Sequence, residues 1–218
     1  IPHCAHLLGE IPAARLFDEF LKLFLAGYAA RTLDKLLECD LLRYLFPDTN
    51  ACVRQDEKAL ALVQAAMGNT DQRIAQDKPV TPAFILAALL WPVVSKQFSR
   101  LEGNGEAPMV AMHTAAQSAI ADVMRHISIP RRFSQPMREI WEFQLRLQRR
   151  SGRKAVELVE HRRFRAAYDF LLLREQAGED TGELGSWWTA MQELPAEQRL
   201  EKTATAQDHR KRSGRTRT

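Results

Sequence analysis

Leu147–Lys154 reads LQRRSGRK, four cations in eight residues with no carboxylate among them. Residues 130–174 as a whole hold 12 basic and 5 acidic side chains, and Arg outnumbers Lys there by 11 to 1. Guanidinium groups make planar, bidentate contacts to phosphate, so this composition suits the binding of a polyanion. The cations concerned are Arg131, Arg132, Arg138, Arg146, Arg149, Arg150, Arg153, Lys154, Arg162, Arg163 and Arg165. A nucleic acid or an anionic surface would fit such a field. A solvated helix face with internal pairs such as Arg138–Glu142 would also use these residues, but five carboxylates cannot neutralise twelve cations. Phe164 and Tyr168 stand among the arginines, four apart, where they either stack on bases or pack into a core.

No constellation for bond-making accompanies the cations. The chain has no glycine-rich phosphate loop, no GxSxG and no HExxH. His3, Cys4 and His6 place three possible ligands in four residues, yet no second Cys/His cluster exists to complete a metal site. The acidic pairs Asp18–Glu19, Asp56–Glu57 and Glu179–Asp180 are sequence neighbours, which on a helix do not face one target. His113 and His126 are isolated. No catalytic residue and no metal ligand is therefore assigned. Cys4, Cys39 and Cys52 form no CxxC and are odd in number, which points to a reducing, cytoplasmic compartment.

The elements that must position the cations carry a helical period throughout. Leu16, Phe17, Phe20, Phe24 and Leu25 mark one face of a helix over 12–26, stopped by Gly27. Further helices are expected over about 29–38, from about 40 to Pro47, and over 58–67, closed by Gly68-Asn69. Thr81-Pro82 opens an apolar helix, AFILAALLWPVV, which belongs at the centre of the core and should end or kink at Pro92. This run is too short to span a bilayer. A helix over 109–126 follows the loop GNGEAP, and another, capped by Ser134 with Pro136 in its first turn, should run to Ser151. On that helix Arg149 falls about 20° from Arg138 and opposite Leu147, giving an arginine-lined face. A short helix over 153–160, a longer one over 163–177, a turn at 178–185, and a last short helix in SWWTAMQEL follow. The fold class is all-α, an irregular multi-helix bundle, with 196–218 a disordered tail ending in five cations.

Three stretches resemble one family: IPAARLFDEFLKLFLAGY (11–28), TPAFILAALLWP (81–92) and IPRRFSQPMREIWEFQLRLQRRSGRKAVELVEHRRFRAAYDFLLLRE (129–175). They are similar to the C-terminal half of bacterial poly(A) polymerase, a relative of the CCA-adding tRNA nucleotidyltransferases. The resemblance is most specific where REIWEFQLR, the RRSGRK turn and EHRRFRAAYDFLLLR follow one another. It implies an enzyme that adds AMP from ATP to RNA 3′ ends without a template, using Mg2+ held in an N-terminal α/β head. That head is expected to lie outside this sequence, which opens on IPHCAHLLGEIP without Met and reads as a fragment, inactive alone. The resemblance divides the chain into the end of a neck (1–28), a helical body (29–128), a basic RNA-binding region (129–195) and the tail (196–218). Arg15, Glu19 and Lys22 match the family's R-x-x-x-E-x-x-K neck pattern and would brace the nucleotide pocket. Ala14 stands where CCA-adding relatives tend to carry Glu, a departure toward the poly(A) branch. Implied partners are RNA 3′ ends, the protein's own head and RNA-decay proteins. The same region of a CCA-adding enzyme, or a helical protein-interaction module, are the competing readings.

Overall fold

A computed structural model describes residues 2–203, with side chains from Ala5 onward. Every regular element among them is helical. A 3₁₀ segment, Pro2–Glu10, leads into α1 (Ala13–Phe24), α2 (Ala29–Glu38), α3 (Leu42–Leu45), α4 (Pro47–Gln55) and α5 (Glu57–Ala75). There follow α6 (Pro82–Gly103), α7 (Pro108–Val123), α8 (Arg131–Leu147), α9 (Arg153–Glu160), α10 (Phe164–Gln176) and α11 (Leu184–Glu193). The all-α class matches the expectation.

Helix α6 is the axis of the bundle. From Ala83 to Val94 all but Phe84 are buried, because α4, α5, α7, α8 and α10 pack around it. Pro92 was expected to end or kink the helix, but α6 continues to Gly103. Proline removes one i→i−4 bond and crowds the turn before it. The Thr49 hydroxyl, from α4, donates to the Leu89 carbonyl in that turn at 2.9 Å. The continuous α6 is long and apolar enough to cross a membrane by composition, yet most of its apolar window is covered by the other helices.

Other helix ends differ from expectation for the same reason: packing outweighs local punctuation. Gly68 does not close α5, although glycine costs about 1 kcal/mol in a helix interior. Met67 and Thr70, either side of it, are buried, and the Thr70 hydroxyl donates to the Ala66 carbonyl. The short helix expected to end near Pro47 is α3, which stops at Leu45; Pro47 itself begins a helix that was not expected, α4, at its first position, where a missing N–H costs nothing. Ser134 does not cap α8; the helix starts at Arg131, after Pro130, and takes Pro136 into its second turn. It ends at Leu147, well short of Ser151. Residues 196–203, expected to be unstructured, are helical: the Arg199 guanidinium donates to the Leu194 carbonyl at 3.0 Å and Thr203 is buried. The rest of the tail lies outside the described residues.

A second, smaller core joins the C-terminal half of α8 to α9, α10 and α11, through Phe143, Leu147, Ala155, Phe164, Tyr168, Leu171, Trp188 and Met191. It is the platform on which the cations stand.

Helix α2 has no capping side chain of its own at Tyr28. Asp71 of α5 supplies one: its carboxylate accepts from the amides of Ala29 at 2.6 Å and Ala30 at 3.0 Å. Asp71→Ala should therefore destabilise the fold by about 1–2 kcal/mol, measured by chemical denaturation.

Candidate nucleic-acid interface

Helix α8 stops where the second core stops it. The Trp188 indole N–H donates to the Leu147 carbonyl at 2.9 Å, taking up an acceptor the helix would otherwise leave open. Arg149 and Arg150 therefore sit in a turn after the helix, not on the arginine-lined face expected from a helix running to Ser151. Arg150 ties the turn down by donating to the Gly182 carbonyl at 3.2 Å. Gly152 then redirects the chain by combining a positive φ of 73° with a fully extended ψ, a conformation essentially confined to glycine. A Cβ there would meet no atom within 4 Å, so backbone conformation alone sets the requirement. The next residue, Arg153, opens α9.

The structure sorts the cations by what neutralises them. Arg146 approaches Glu142 at 3.9 Å, Arg153 approaches Glu157 at 3.4 Å, and Arg165 pairs with Asp169 at 3.0 Å. Arg162 at 3.5 Å and Arg163 in closer contact share a single carboxylate, Glu139. Arg150 bonds a neutral carbonyl, so its charge stays uncompensated. The Arg149 and Lys154 side chains are exposed and make no ion pair among the described residues. At this end of α8 uncompensated charge thus concentrates in the turn at 149–154, with one further unit from the Arg162–Arg163 pair; Arg131, Arg132 and Arg138 also hold no carboxylate among the described residues.

Three predicted cations lie elsewhere. Arg131 and Arg132 begin α8, at the opposite end of the helix from Leu147. Arg132 lies over the Phe133 ring at 4.9 Å. Arg138 is half-buried, and its Nε is buried with no hydrogen-bond partner. The aromatics among the arginines are core. Phe164 and Tyr168 are buried and stack on each other at 6.0 Å, and Phe164 meets Trp188 edge-on at 5.4 Å. Neither offers a free face to a base.

Arg15, Glu19 and Lys22 are all exposed on α1, opposite the buried Leu16, Phe17, Phe20 and Phe24, and Lys22 pairs with Glu19 at 2.9 Å. The His3–Cys4–His6 cluster includes side chains outside the described residues. Among the described residues, no group of three or more His, Cys, Asp and Glu could hold a metal ion.

Glu139 organises two of the cations without any local sign of it in the sequence. It joins α8 to the 161–163 turn across more than twenty residues. A second such network runs through Arg174, which bonds Glu179 at 2.7 Å and Gln144 at 3.0 Å and lies 4.8 Å over the Trp91 ring. Burial alone pushes the Glu139 carboxyl up, but its bond to Arg163, the charges of Arg163 and Arg162, and a bond from Gln135 together hold it below the usual glutamate range. A depressed folded-state pKa stabilises above the unfolded value and loses that contribution as pH falls through the folded one. Glu139→Gln should cost about 1.5 kcal/mol at neutral pH. That difference should vanish in acid, below the depressed pKa, when denaturation curves at the two pH values are compared.

Residues 104–218, 115 of the 218, match the family described as "Polymerase A arginine-rich C-terminus". Residues 1–53 match the one described as "Probable RNA and SrmB- binding site of polymerase A". The chain is 38% identical over 205 residues to Poly(A) polymerase I of Salmonella typhi, covering 91% of this chain and 44% of that protein. It is 37% identical to the Escherichia coli O157:H7 protein of the same name, covering 88% and 42%. For the Haemophilus influenzae protein the identity is 36%, covering 91% and 45%. The chain thus spans less than half the length of these curated relatives. Its match takes in the whole arginine-rich block and the turn that carries the free cations, and the chain belongs to the polymerase A family.

Proposed function

We propose that this chain is the RNA-holding part of a poly(A) polymerase, which adds AMP from ATP to RNA 3′ ends. The observation that carries this reading is the turn at 149–154. Arg149, Arg150 and Lys154 project uncompensated charge from a site braced by Trp188 and Gly182. Cations that already hold carboxylates must give up that pairing to take a phosphate. Cations without carboxylates release only counterions, which is the favourable term in binding a single strand. With Phe164 and Tyr168 buried, contact goes to the backbone and carries no base preference.

On this reading the chemistry resides outside the chain, in a nucleotidyltransferase head that holds Mg2+ and ATP. Phosphoryl transfer needs carboxylate-held metals, and the chain on its own is inactive. The exposed side of α1, with Arg15, Glu19 and Lys22, braces the nucleotide pocket from below. The compartment is the cytoplasm, and RNA-decay proteins are the partners that such an activity would meet. The names of the relatives favour poly(A) addition over CCA addition. Supplied with a head, the chain should support long homopolymeric tails on a primer that is not tRNA; strict CCA addition would sink the proposal.

The sorting of the cations makes a sharper test. Arg149→Gln with Lys154→Gln should flatten the slope of log affinity against log salt by about 1.4, two phosphate contacts at about 0.7 each for a single strand. The loss should be nearly equal for different RNA sequences, measured by fluorescence anisotropy. Arg153→Gln with Arg165→Gln, which removes cations already paired, should change the slope by less than half as much. Equal effects from the two pairs would show that ion pairing does not decide the RNA contacts. The cationic end Arg210–Arg217, outside the described residues, should add affinity without sequence preference; its deletion should weaken all RNAs alike.

A further inference from the structure

A stripe along the solvent side of α7, running on to Met124, carries no formal charge over four turns; Asp122 and Arg125, paired with each other at 2.8 Å, lie beside it. Val110, His113, Thr114, Gln117, Ala121 and Met124 lie within about 100° of arc, and all six are exposed. Val110 is 56% and Met124 45% exposed. The opposite side, including Met112, Ala116 and Ile120, is buried against α6 and α8. On that stripe the apolar Val110 and Met124 bracket neutral side chains, in a chain otherwise rich in charged ones.

The two ends of this face are oppositely charged. Glu102, in the last turn of α6, and Glu106, in the loop before α7, make no ion pair among the described residues. Arg131 and Arg132 open α8 just after α7 and likewise hold no carboxylate. The His113–Glu142 contact at 3.3 Å sets the register of the antiparallel α7 and α8. Eleven residues back from Glu142 is Arg131, on the same side of its helix, and eleven on from His113 is Met124. Arg131 therefore stands level with Met124, at the cationic end of the neutral stripe.

A pattern that is acidic at one end, neutral in the middle and cationic at the other is complementary to itself when reversed. We propose that this face is an interface between two copies of the chain, with the α7 helices packed antiparallel about a twofold axis near Gln117. Val110 of each copy then meets Met124 of the other, and Glu102 and Glu106 reach the other copy's Arg131 and Arg132. Such an isologous contact is the commonest way for a chain to pair with itself. The stripe is about 21 Å long. That puts the contact at the small end of interface sizes, so pairing is weak, with a dissociation constant of about 100 μM.

Sedimentation equilibrium of the full chain tests this, over about 5–500 μM to bracket that constant. The mass should rise from 24.9 kDa toward twice that value as concentration increases. Gln117→Glu places like charges together on the axis and should hold the chain at the single-copy mass throughout. Glu106→Arg should weaken pairing about tenfold, and adding Arg131→Glu, which swaps the charges at both ends, should restore it to within about threefold. Thermal melts followed by circular dichroism should match wild type for Gln117→Glu, whose side chain is exposed. A mass fixed at 24.9 kDa across the range overturns the proposal. So does undiminished pairing by Gln117→Glu, or a charge-swapped variant weaker than Glu106→Arg alone. RNA affinity is measured in parallel at the lowest chain concentration: if Gln117→Glu lowers it, the face belongs to RNA and not to a second copy.

Discussion

A helix with no polar side can persist in water only where other helices surround it, and the first half of α6 is such a helix. Ala83, Ala87, Trp91, Ala88, Ile85, Leu89 and Leu86 point in every direction around its axis, and all are buried. Five helices are recruited to cover them. Three of them bring a specific contact as well as area. Thr49 of α4 reaches the carbonyl of Leu89, Trp141 of α8 donates its indole N–H to the carbonyl of Ala87, and Phe170 of α10 meets Trp91 edge-on. Apolar burial supplies the drive, at about 25 cal/mol per Å², while these directional contacts choose the register in which each helix docks.

The cationic region depends on that arrangement through α8 and α10, which contribute to both cores. The middle of α8 is fastened to α6 by Trp141 and its C-terminal end is closed by Trp188. Between them Gln144 is buried and fully used: its amide donates to the carbonyls of Ile140 and Ala167 and its oxygen accepts from Arg174. This buried polar link fixes α10 against α8, and with it the positions of Arg162, Arg163 and Arg165. The charged surface is an outcome of core packing and not a loose fringe upon it.

Much of this was legible in the sequence. The 3.6-residue period located the helices, and α2 and α9 fall where expected. The excess of arginine over carboxylate located the cationic block. What was illegible has one physical origin. Gly68, Pro92 and Pro136 read as local punctuation, each with a local cost of a few kcal/mol or less, and burial of neighbouring side chains outweighs it. The placing of Arg149 and Arg150 on a helix face failed for a related reason. An ion pair between Glu139 and residues 162–163, or a bond from Arg150 to Gly182, joins distant points of the chain, and periodicity says nothing about such pairings. Arg149 could be assigned to a helix face only by assuming that α8 runs on. The residue that stops it, Trp188, lies far along the chain from Leu147.

Gly152 has a consequence for how this region tolerates inherited change. Its neighbours in the turn each contribute one charge among several, so losing one of them dims the field by a step. The glycine contributes no charge and touches nothing a side chain would strike. Yet its backbone angles, closed to other residues, aim α9 and everything after it. A lineage can therefore trade Arg149 for Lys154, or add arginines at the rim, and keep the interface. It has no gradual route around the one position in the turn that carries no chemistry at all.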